Sequence, residues 1–352
     1  MAILEFSKVG ITAMAACVPK NVINNYEYTQ YFNEEDVKKV VDKIGVYERR
    51  FADEKTTSSD LCFAAAEKLL NDNNVDRSEI DLLIFISQTP DYRMPATSII
   101  LQERLGLNKN TIAFDISLGC SAFMYGLSVV YSLINQKGIR KALLLNGETR
   151  SRVYSPKDRK TAFIFGDAGV AALIEKNDKF KNSYFSLNSD GSKADYIMIK
   201  GGGYRNPSSV ETLREKVVDE LGNIRNDEQG YMRGEDVFNF VIVEVPKDIK
   251  NLLKYASVSK DDIDYYVFHQ ANNFINTHIA KRLKFDFSKI PSSMSKYGNT
   301  SSVSIPLTII SELKGSLKDE KSLLLTGFGV GLSWGTAIVP FNNCKISDIV
   351  EI

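Results

Sequence analysis

Short continuous apolar runs alternate with amphipathic segments along the chain. Residues 80–87 (IDLLIFIS) and 141–145 (KALLL) are short apolar runs typical of buried β-strands. Residues 61–70 (LCFAAAEKLL) and 98–105 (SIILQERL) have the length and composition of helices. Strands separated by helices predict an α/β protein.

The apolar pattern repeats about halfway along the chain. Apolar positions within residues 69–85 reappear within residues 252–268 at an offset of 183, and residues 141–147 resemble residues 321–327 at an offset of 180. Either match alone is weak, because apolar strands look alike. Two matches in the same order, with nearly the same offset, indicate duplication of one α/β unit.

The repeat predicts two halves, residues 1–177 and 178–352. Residues 201–231 form a polar, charged and Gly-rich insertion in the second half, with no counterpart in the first. Within this insertion, residues 210–221 are compatible with a surface helix. Long insertions in compact domains are usually functional lids or mobile excursions.

Charge and hydropathy exclude several classes of function. The 44 Lys and Arg residues balance 44 Asp and Glu residues, so no net field attracts nucleic acid or an anionic membrane. No apolar run reaches the roughly 20 residues of a membrane-spanning helix, and the first residues lack the basic and apolar regions of a secretory signal. We therefore expect a cytoplasmic protein with no nucleic-acid or membrane partner.

Few side chains are available for metal or thiol chemistry. The chain has 2 His and 4 Cys, which argues against a His/Cys zinc site and against a disulfide framework. Any histidine chemistry must use His269 or His278. Cys17, Cys62 and Cys344 have ordinary apolar or surface-like neighbours, so we interpret them as structural.

Cys120 has a different setting. It follows a predicted strand at residues 111–116 and Gly119, and it precedes a nearly apolar segment, up to Ile134, that predicts a buried helix. We expect Cys120 to lie at the N-terminus of this helix, where the macrodipole and free N–H groups favour the thiolate. A small core cysteine is the alternative interpretation of this segment alone.

The repeat aligns Cys120 with Thr300 in a second glycine-containing turn, residues 296–306, which also leads into an apolar helix. Equivalent turns of two duplicated halves can face each other across a pseudo-twofold axis. Asn299 could then direct its side chain towards Cys120. Asn is also a favoured N-cap, so capping of the helix is the alternative role.

His269 follows a predicted strand at residues 263–268. Ligands of α/β sheets collect at the carboxyl ends of strands, which makes His269 a candidate site residue. His278 lies nine residues later on a predicted helix, and we expect it to be exposed.

A glycine-rich segment at residues 326–335 (TGFGVGLSWG) is a candidate for backbone contacts with a ligand. Alternating glycines allow backbone N–H groups to approach an oxyanion closely. Residues 331–335 also match the G-x-S-x-G pattern of serine hydrolases. That motif needs a helix after the serine, whereas residues 336–340 (TAIVP) predict a strand, so we reject the hydrolase interpretation.

Together these motifs resemble β-ketoacyl-acyl-carrier-protein synthase III, a family of condensing enzymes in the thiolase-like superfamily. The matching stretches follow the family's order through most of the chain, at residues 115–126, 165–169, 189–192, 232–238, 269–272, 297–306 and 328–335. The resemblance implies an α/β thiolase-like fold, a duplicated five-layered αβαβα arrangement with pseudo-twofold halves.

The resemblance also implies roles for individual residues. Cys120, His269 and Asn299 would form a Cys-His-Asn triad, and the backbone amides of Cys120 and of Gly329 or Val330 would form the oxyanion hole. The implied substrate contacts are Arg159, Phe165, Asn272, Phe274, Phe328, Lys281 and Arg282. Lys281 and Arg282 could equally be solvated helix charges.

The implied function is acyl transfer with formation of a carbon–carbon bond, in biosynthesis of a fatty acid or a specialised metabolite. An acyl group on Cys120 would condense with a malonyl thioester by decarboxylative Claisen chemistry. Acyl-coenzyme A or acyl-carrier-protein thioesters would be the substrates, no cofactor would be required, and a homodimer is implied. Two alternatives are an acyltransferase that moves the acyl group to a hydroxyl or amine, and a non-catalytic partner subunit.

Two departures from the family pattern indicate a specialised acyl donor or acceptor. Phe274 replaces a basic residue of the family, and the only tryptophan is Trp334, whereas the family commonly has one near residues 41–50.

Overall fold

Two large β-sheets and the helices around them make up the computed structural model, which describes residues 2–352. The helices are α1 (Glu34–Ile44), α2 (Ser58–Asp72), α3 (Thr97–Arg104), α4 (Ala122–Ile134), α5 (Val210–Leu213), α6 (Gly234–Ala256), α7 (Asn273–Leu283), α8 (Met294–Tyr297) and α9 (Ser304–Glu312).

The strands of the first half are β1 (Ile3–Phe6), β2 (Val9–Val18), β3 (Val22–Asn24), β4 (Glu48–Arg50), β5 (Ile80–Ile86), β6 (Ile112–Ile116), β7 (Lys141–Thr149) and β8 (Asp167–Lys176). Those of the second half are β9 (Ser183–Ser189), β10 (Ile197–Met198), β11 (Lys216–Val217), β12 (Ile224–Arg225), β13 (Tyr231–Met232), β14 (Tyr265–Phe268), β15 (Lys321–Gly329), β16 (Ser333–Phe341), β17 (Lys345–Ile346) and β18 (Val350–Glu351).

The two large sheets have the same strand order except for β6, which has no counterpart in the second sheet. The first runs β17-β2-β8-β7-β5-β6, with β18 also on β2, and the second runs β1-β9-β16-β15-β14. Strand β5 is parallel to β7 in the first sheet, as β14 is parallel to β15 in the second, and the next pairs, β7 with β8 and β15 with β16, are antiparallel. This equivalence agrees with the predicted duplication, while the boundary at residues 177 and 178 stays a prediction.

Helices lie between the sheets and outside them. The apolar helices α4 and α9 are buried between the two sheets, in a core that takes side chains from both. Helices α2 and α3 cover the outer face of the first sheet, and α6 and α7 cover that of the second. The result is the predicted αβαβα layering. No helix within residues 2–352 is long and apolar enough to cross a membrane.

The terminal strands exchange between the sheets, which the sequence did not predict. Strand β1 pairs with β9 of the second sheet, although it begins the chain. Strands β17 and β18 pair with β2 of the first sheet, although they end it. Cys344 lies directly before β17.

The insertion at residues 201–231 contains less helix than expected. Helix α5 is only four residues long, because the chain then forms the short antiparallel ladder of β11 and β12. The predicted helix at residues 210–221 is therefore wrong beyond Leu213. The insertion packs on the loop after β7, where Gly230 N donates to Val153 O (2.9 Å) and Arg225 pairs with Asp158 (2.8 Å).

Candidate active site

Cys120 lies in a tight turn between β6 and α4. Ala122 N donates to Gly119 O at 2.8 Å across this turn. A Cβ at position 119 would lie 2.2 Å from a Val330 side-chain carbon, so the turn requires glycine there. Helix α4 begins at Ala122, two residues after Cys120, which corrects the expected helix start.

His269 directly follows β14, as expected from its place at a strand end. Its backbone N–H donates to Thr326 O (2.8 Å), and its Nδ1 lies 2.7 Å from Ser304 Oγ at the start of α9. The Phe328 ring meets the imidazole edge-on, with centroids 5.5 Å apart. These contacts fix the ring, which is 2% exposed, with Nε2 as the nitrogen left for a partner at the site.

Asn299 lies in the second turn, between α8 and α9. Its backbone forms a bridge with Phe165, and its Oδ1 accepts a hydrogen bond from Ser301 N (2.8 Å). This bond reaches the first N–H of the 3₁₀ turn Ser301–Val303, which leads into α9 at Ser304, so the capping role stays open beside the predicted catalytic one. The Nδ2 group makes no hydrogen bond within residues 2–352 and is available to a ligand.

Side chains of β7 fix this second turn to the first half. Asn146 Nδ2 donates to Ser302 O (2.7 Å), and Ser302 Oγ donates to the carboxylate of Glu148 (3.1 Å). Burial raises the pKa of Glu148, while the charge of Arg150 lowers it. Both halves therefore set the position of Asn299 relative to Cys120.

The Cys120 thiol is half-buried, and its Sγ lies 3.8 Å from Ser301 Oγ. Burial raises its pKa, but the charge and hydrogen bonding of His269, together with the charge of Arg150, outweigh burial and lower the pKa from 9.0 to about 7. A substantial thiolate fraction at neutral pH makes Cys120 a competent nucleophile.

The other three cysteines are buried and inert, as predicted. Burial raises the pKa of Cys17 and of Cys344 to about 12, and it raises that of Cys62 as well. Cys120 is therefore the one cysteine poised for chemistry.

The backbone of Gly329, the last residue of β15, lies against the thiol. A Cβ built on Gly329 would be 2.7 Å from Cys120 Sγ. Glycine thus lets the main chain approach the reacting sulfur. This closeness suits the predicted oxyanion hole of Cys120 and Gly329 or Val330.

A cavity of about 530 Å³ joins these groups. Of the predicted site residues, those that line it are Cys120, Phe165, His269, Asn272, Phe274, Asn299, Phe328, Gly329 and Val330. His278 lies outside it and is exposed, as expected. No cluster of three or more His, Cys, Asp or Glu side chains suited to a metal occurs in the described part of the chain.

Three predicted substrate contacts do not line the cavity. Arg159 pairs with Asp36 (3.0 Å). Lys281 and Arg282 lie on the exposed face of α7, where Arg282 Nη1 donates to Ile242 O (2.8 Å).

The sequence reasoning missed other residues of the cavity. Lys43 of α1 lines it, and so do the buried side chains of Arg150 and Tyr154. Arg150 follows β7 directly, so the strand-end rule that indicated His269 could have found it.

Comparison with known proteins identifies the family. The model for 3-oxoacyl-[acyl-carrier-protein (ACP)] synthase III matches residues 114–191, and the model for its C-terminal part matches residues 253–341. A β-ketoacyl-[acyl-carrier-protein] synthase III of Clostridioides difficile is 33% identical over 336 residues, which cover 95% of this chain and 99% of that protein. The chain belongs to the 3-oxoacyl-ACP synthase III family.

Other members of the synthase III family resemble this chain over nearly its whole length. The synthase III of Fusobacterium nucleatum is 32% identical over 337 residues, covering 95% of this chain and 98% of that protein. The crystal structure of a 3-oxoacyl-(acyl-carrier protein) synthase from Burkholderia xenovorans LB400 has a TM-score of 0.93 and 37% identity, covering 100% of this chain and 99% of the other. The predicted thiolase-like fold, family and acyltransferase class are thereby confirmed.

Proposed function

We propose that this synthase III condenses an acyl group, held on Cys120, with a malonyl thioester to give a 3-oxoacyl thioester. The observation that carries the proposal is one buried cavity that holds a low-pKa thiol beside His269 and the free amide of Asn299. Nucleophile, imidazole and amide donor are the groups that this reaction needs. Relatives that carry the name β-ketoacyl-[acyl-carrier-protein] synthase III support condensation over acyl transfer to a hydroxyl or amine.

In the first step, the Cys120 thiolate attacks the carbonyl carbon of an acyl thioester. The negative oxygen that forms is stabilised by the backbone N–H groups of Cys120 and of Gly329 or Val330. The carrier leaves as a thiolate, and the acyl group stays on Cys120 as a thioester. The carrier thiolate takes up a proton from solvent.

In the second step, the malonyl thioester loses its carboxylate as carbon dioxide. The electron pair of the broken C–C bond becomes an enolate, whose oxygen accepts hydrogen bonds from His269 Nε2 and Asn299 Nδ2. The enolate carbon attacks the acyl carbon, and the Cys120 thiolate leaves. This sequence needs no redox cofactor.

Both substrates would reach Cys120 from the exposed end of the cavity. Phe274 is 49% exposed there, and Lys43 adds a positive charge to the lining. We propose acyl carrier protein or coenzyme A as the carrier, with Lys281 and Arg282 on α7 as surface contacts for its acidic groups.

The homodimer implied by the resemblance has a candidate surface. Strand β6 is an edge of the first sheet, and none of its five residues is buried. Nearby Met94 is 77% exposed, although methionine side chains are usually buried. We propose that two copies of the chain meet at this edge.

The cytoplasmic location expected from the sequence also remains a prediction.

The experiment loads the protein with acetyl-coenzyme A and then adds malonyl-carrier protein labelled in the free carboxylate. We expect an acyl adduct by intact mass, followed by release of labelled carbon dioxide and a 3-oxoacyl product. The Asn299→Ala variant should still form the adduct but release carbon dioxide about 10²-fold more slowly. An adduct without carbon dioxide release in the unmodified protein would instead indicate simple acyl transfer.

A further inference from the structure

A buried arginine lines the cavity that holds the thiol. Arg150 is 6% exposed and lines the same cavity as Cys120. Its neighbours there are aromatic: Tyr154 and Phe165 stack with centroids 3.9 Å apart, and the guanidinium carbon lies 5.3 and 5.7 Å from their centroids. A permanent positive charge is therefore enclosed in the cavity that an acyl chain attached to Cys120 would enter.

The hydrogen bonds of Arg150 are incomplete. Nη2 donates to Tyr154 Oη (2.9 Å), and Nη1 makes a long contact with Gln88 Oε1 (3.4 Å). The Nε–H group is buried without any partner in residues 2–352. A guanidinium has five N–H donors, so most of this one's capacity is unused.

No carboxylate of the described chain neutralises this guanidinium directly. The oxygens of Glu148, two residues earlier, accept from Ser302, Thr89 and Gln88 instead. The charge of Glu148 favours the Arg150 cation, but no oxygen of Glu148 contacts the guanidinium. A buried cation without a paired anion is unfavourable unless a ligand supplies one.

Acylation makes this imbalance larger. In the free enzyme the Cys120 thiolate is a negative group close to Arg150. Once Cys120 carries an acyl group, the sulfur is neutral and Arg150 loses that counter-charge. An alkyl chain would leave the guanidinium unpaired, whereas a chain that ends in a carboxylate would restore the pair.

We infer that the acyl group which this enzyme prefers is short and carries a carboxylate at its far end, bound by Arg150. The inference rests on the proposed function, because it concerns the acyl group transferred to Cys120. A guanidinium binds a carboxylate with two parallel hydrogen bonds, which a methyl group cannot replace. The donors of this substrate class are half-thioesters of short dicarboxylic acids.

The test compares donors of equal chain length: succinyl- with butyryl-coenzyme A, and glutaryl- with valeryl-coenzyme A. The rate of Cys120 acylation is followed by intact mass. We expect each dicarboxylic donor to react about 10-fold faster or more than its alkyl counterpart, as a charged hydrogen bond predicts. Equal rates, or faster alkyl donors, would overturn the inference, as would a clear preference for 4-hydroxybutyryl-coenzyme A.

Variants show whether Arg150 causes the preference. Arg150→Leu should reverse the ratio in favour of the alkyl donors, and Arg150→Lys should retain part of the original preference. The ratio is measured within one variant, so a change in the Cys120 thiolate fraction affects both donors equally. Arg152→Leu is the matched control, because Arg152 is exposed and bonds to Asp53 O and Thr56 O outside the cavity; it should leave the ratio unchanged.

The two proposals fail in different ways. If no donor of either kind modifies Cys120, the proposed acyl-enzyme chemistry is wrong. If alkyl donors modify Cys120 and the ratio does not depend on Arg150, only the inferred acyl class is wrong. A reversed ratio in Arg150→Leu cannot result from misfolding, because the alkyl reaction is retained.

Discussion

Cys120 and Cys62 belong to the same half of the chain, but their surroundings shift the pKa of the two thiols in opposite directions. Cys62 lies on α2 against the first sheet, where its Sγ is 3.8 Å from Val170 O. Burial dominates there and raises its pKa. Cys120 is also affected most by burial, yet its pKa falls to about 7 because His269 and Arg150 lie beside it.

The difference shows that enclosure does not decide whether a cysteine reacts. Low polarity disfavours any thiolate, so Cys62 stays protonated and packs as a small apolar group. The charge and hydrogen bonding of His269, together with the charge of Arg150, reverse this at Cys120. Cys120 lies two residues before α4 rather than at the first residue of the helix, as the sequence had suggested.

The largest expected difference between the two thiols is seen when each is removed in turn. Cys120→Ala should abolish the acyl adduct and all 3-oxoacyl product, because no other thiol lines the cavity. Cys62→Ala should keep both at nearly the original level. Intact mass after incubation with an acyl-coenzyme A checks the pair, and an adduct on the Cys120→Ala protein would assign the chemistry elsewhere.

The next largest effect is expected from removal of the His269 imidazole, which favours the thiolate at Cys120. His269→Ala should lower carbon dioxide release by about 10²–10⁴-fold, since it removes an enolate donor and the neighbour that favours the thiolate. His278→Ala is the control, because His278 is exposed on α7. Similar losses in both variants would contradict the assignment. Labelled malonyl thioester gives the rates.

A pH series sharpens the comparison of the two thiols. The Cys120 pKa is lowered to about 7, so alkylation by iodoacetamide should rise with pH through about 7 and level off above it. In His269→Ala the midpoint should move up towards 9, with a rate at pH 7 lower by up to roughly 50-fold, because the charge of Arg150 remains. Cys62 should stay unmodified over this range while the protein is folded, as peptide mass mapping would show.

The smallest effect concerns packing around Cys62. A Cβ at Gly147 would lie 2.6 Å from Ser58 O and 2.7 Å from Cys62 Sγ, so Gly147→Ala should lower the free energy of unfolding by about 1–3 kcal/mol. A Cβ at Gly138 meets nothing within 4 Å, and Gly138→Ala should change little. Urea titrations give the free energy of unfolding of both variants. Equal values would mean that the surroundings of Gly147 can shift to accommodate a Cβ at little cost.

Sequence patterns predicted the repeated layers because buried strands and apolar helices carry strong signals. The same patterns placed His269 correctly, since a strand end is recognisable locally. They set the start of α4 two residues early, because the chain first forms a turn in which Ala122 N donates to Gly119 O.

Other features depend on the whole fold. The end of β7 makes Arg150 a candidate site residue, but only the packing of Tyr154 and Phe165 reveals that its charge is enclosed. The short strands β11 and β12 likewise replaced an expected helix because of their mutual pairing. The order of the motifs predicted the candidate triad of Cys120, His269 and Asn299. The enclosed positive charge of Arg150 became evident only from the structure.

The exchanged end strands have a consequence for how the chain is made. While a ribosome is still synthesising residues beyond 340, the first sheet lacks β17 and β18, and the edge of β2 that they cover is open. The second sheet, in turn, must recruit β1, the first strand to emerge. Neither sheet can be completed before β18 has been synthesised, so the halves are expected to mature together, and removal of β1 or of β17 and β18 should leave an edge exposed to other chains.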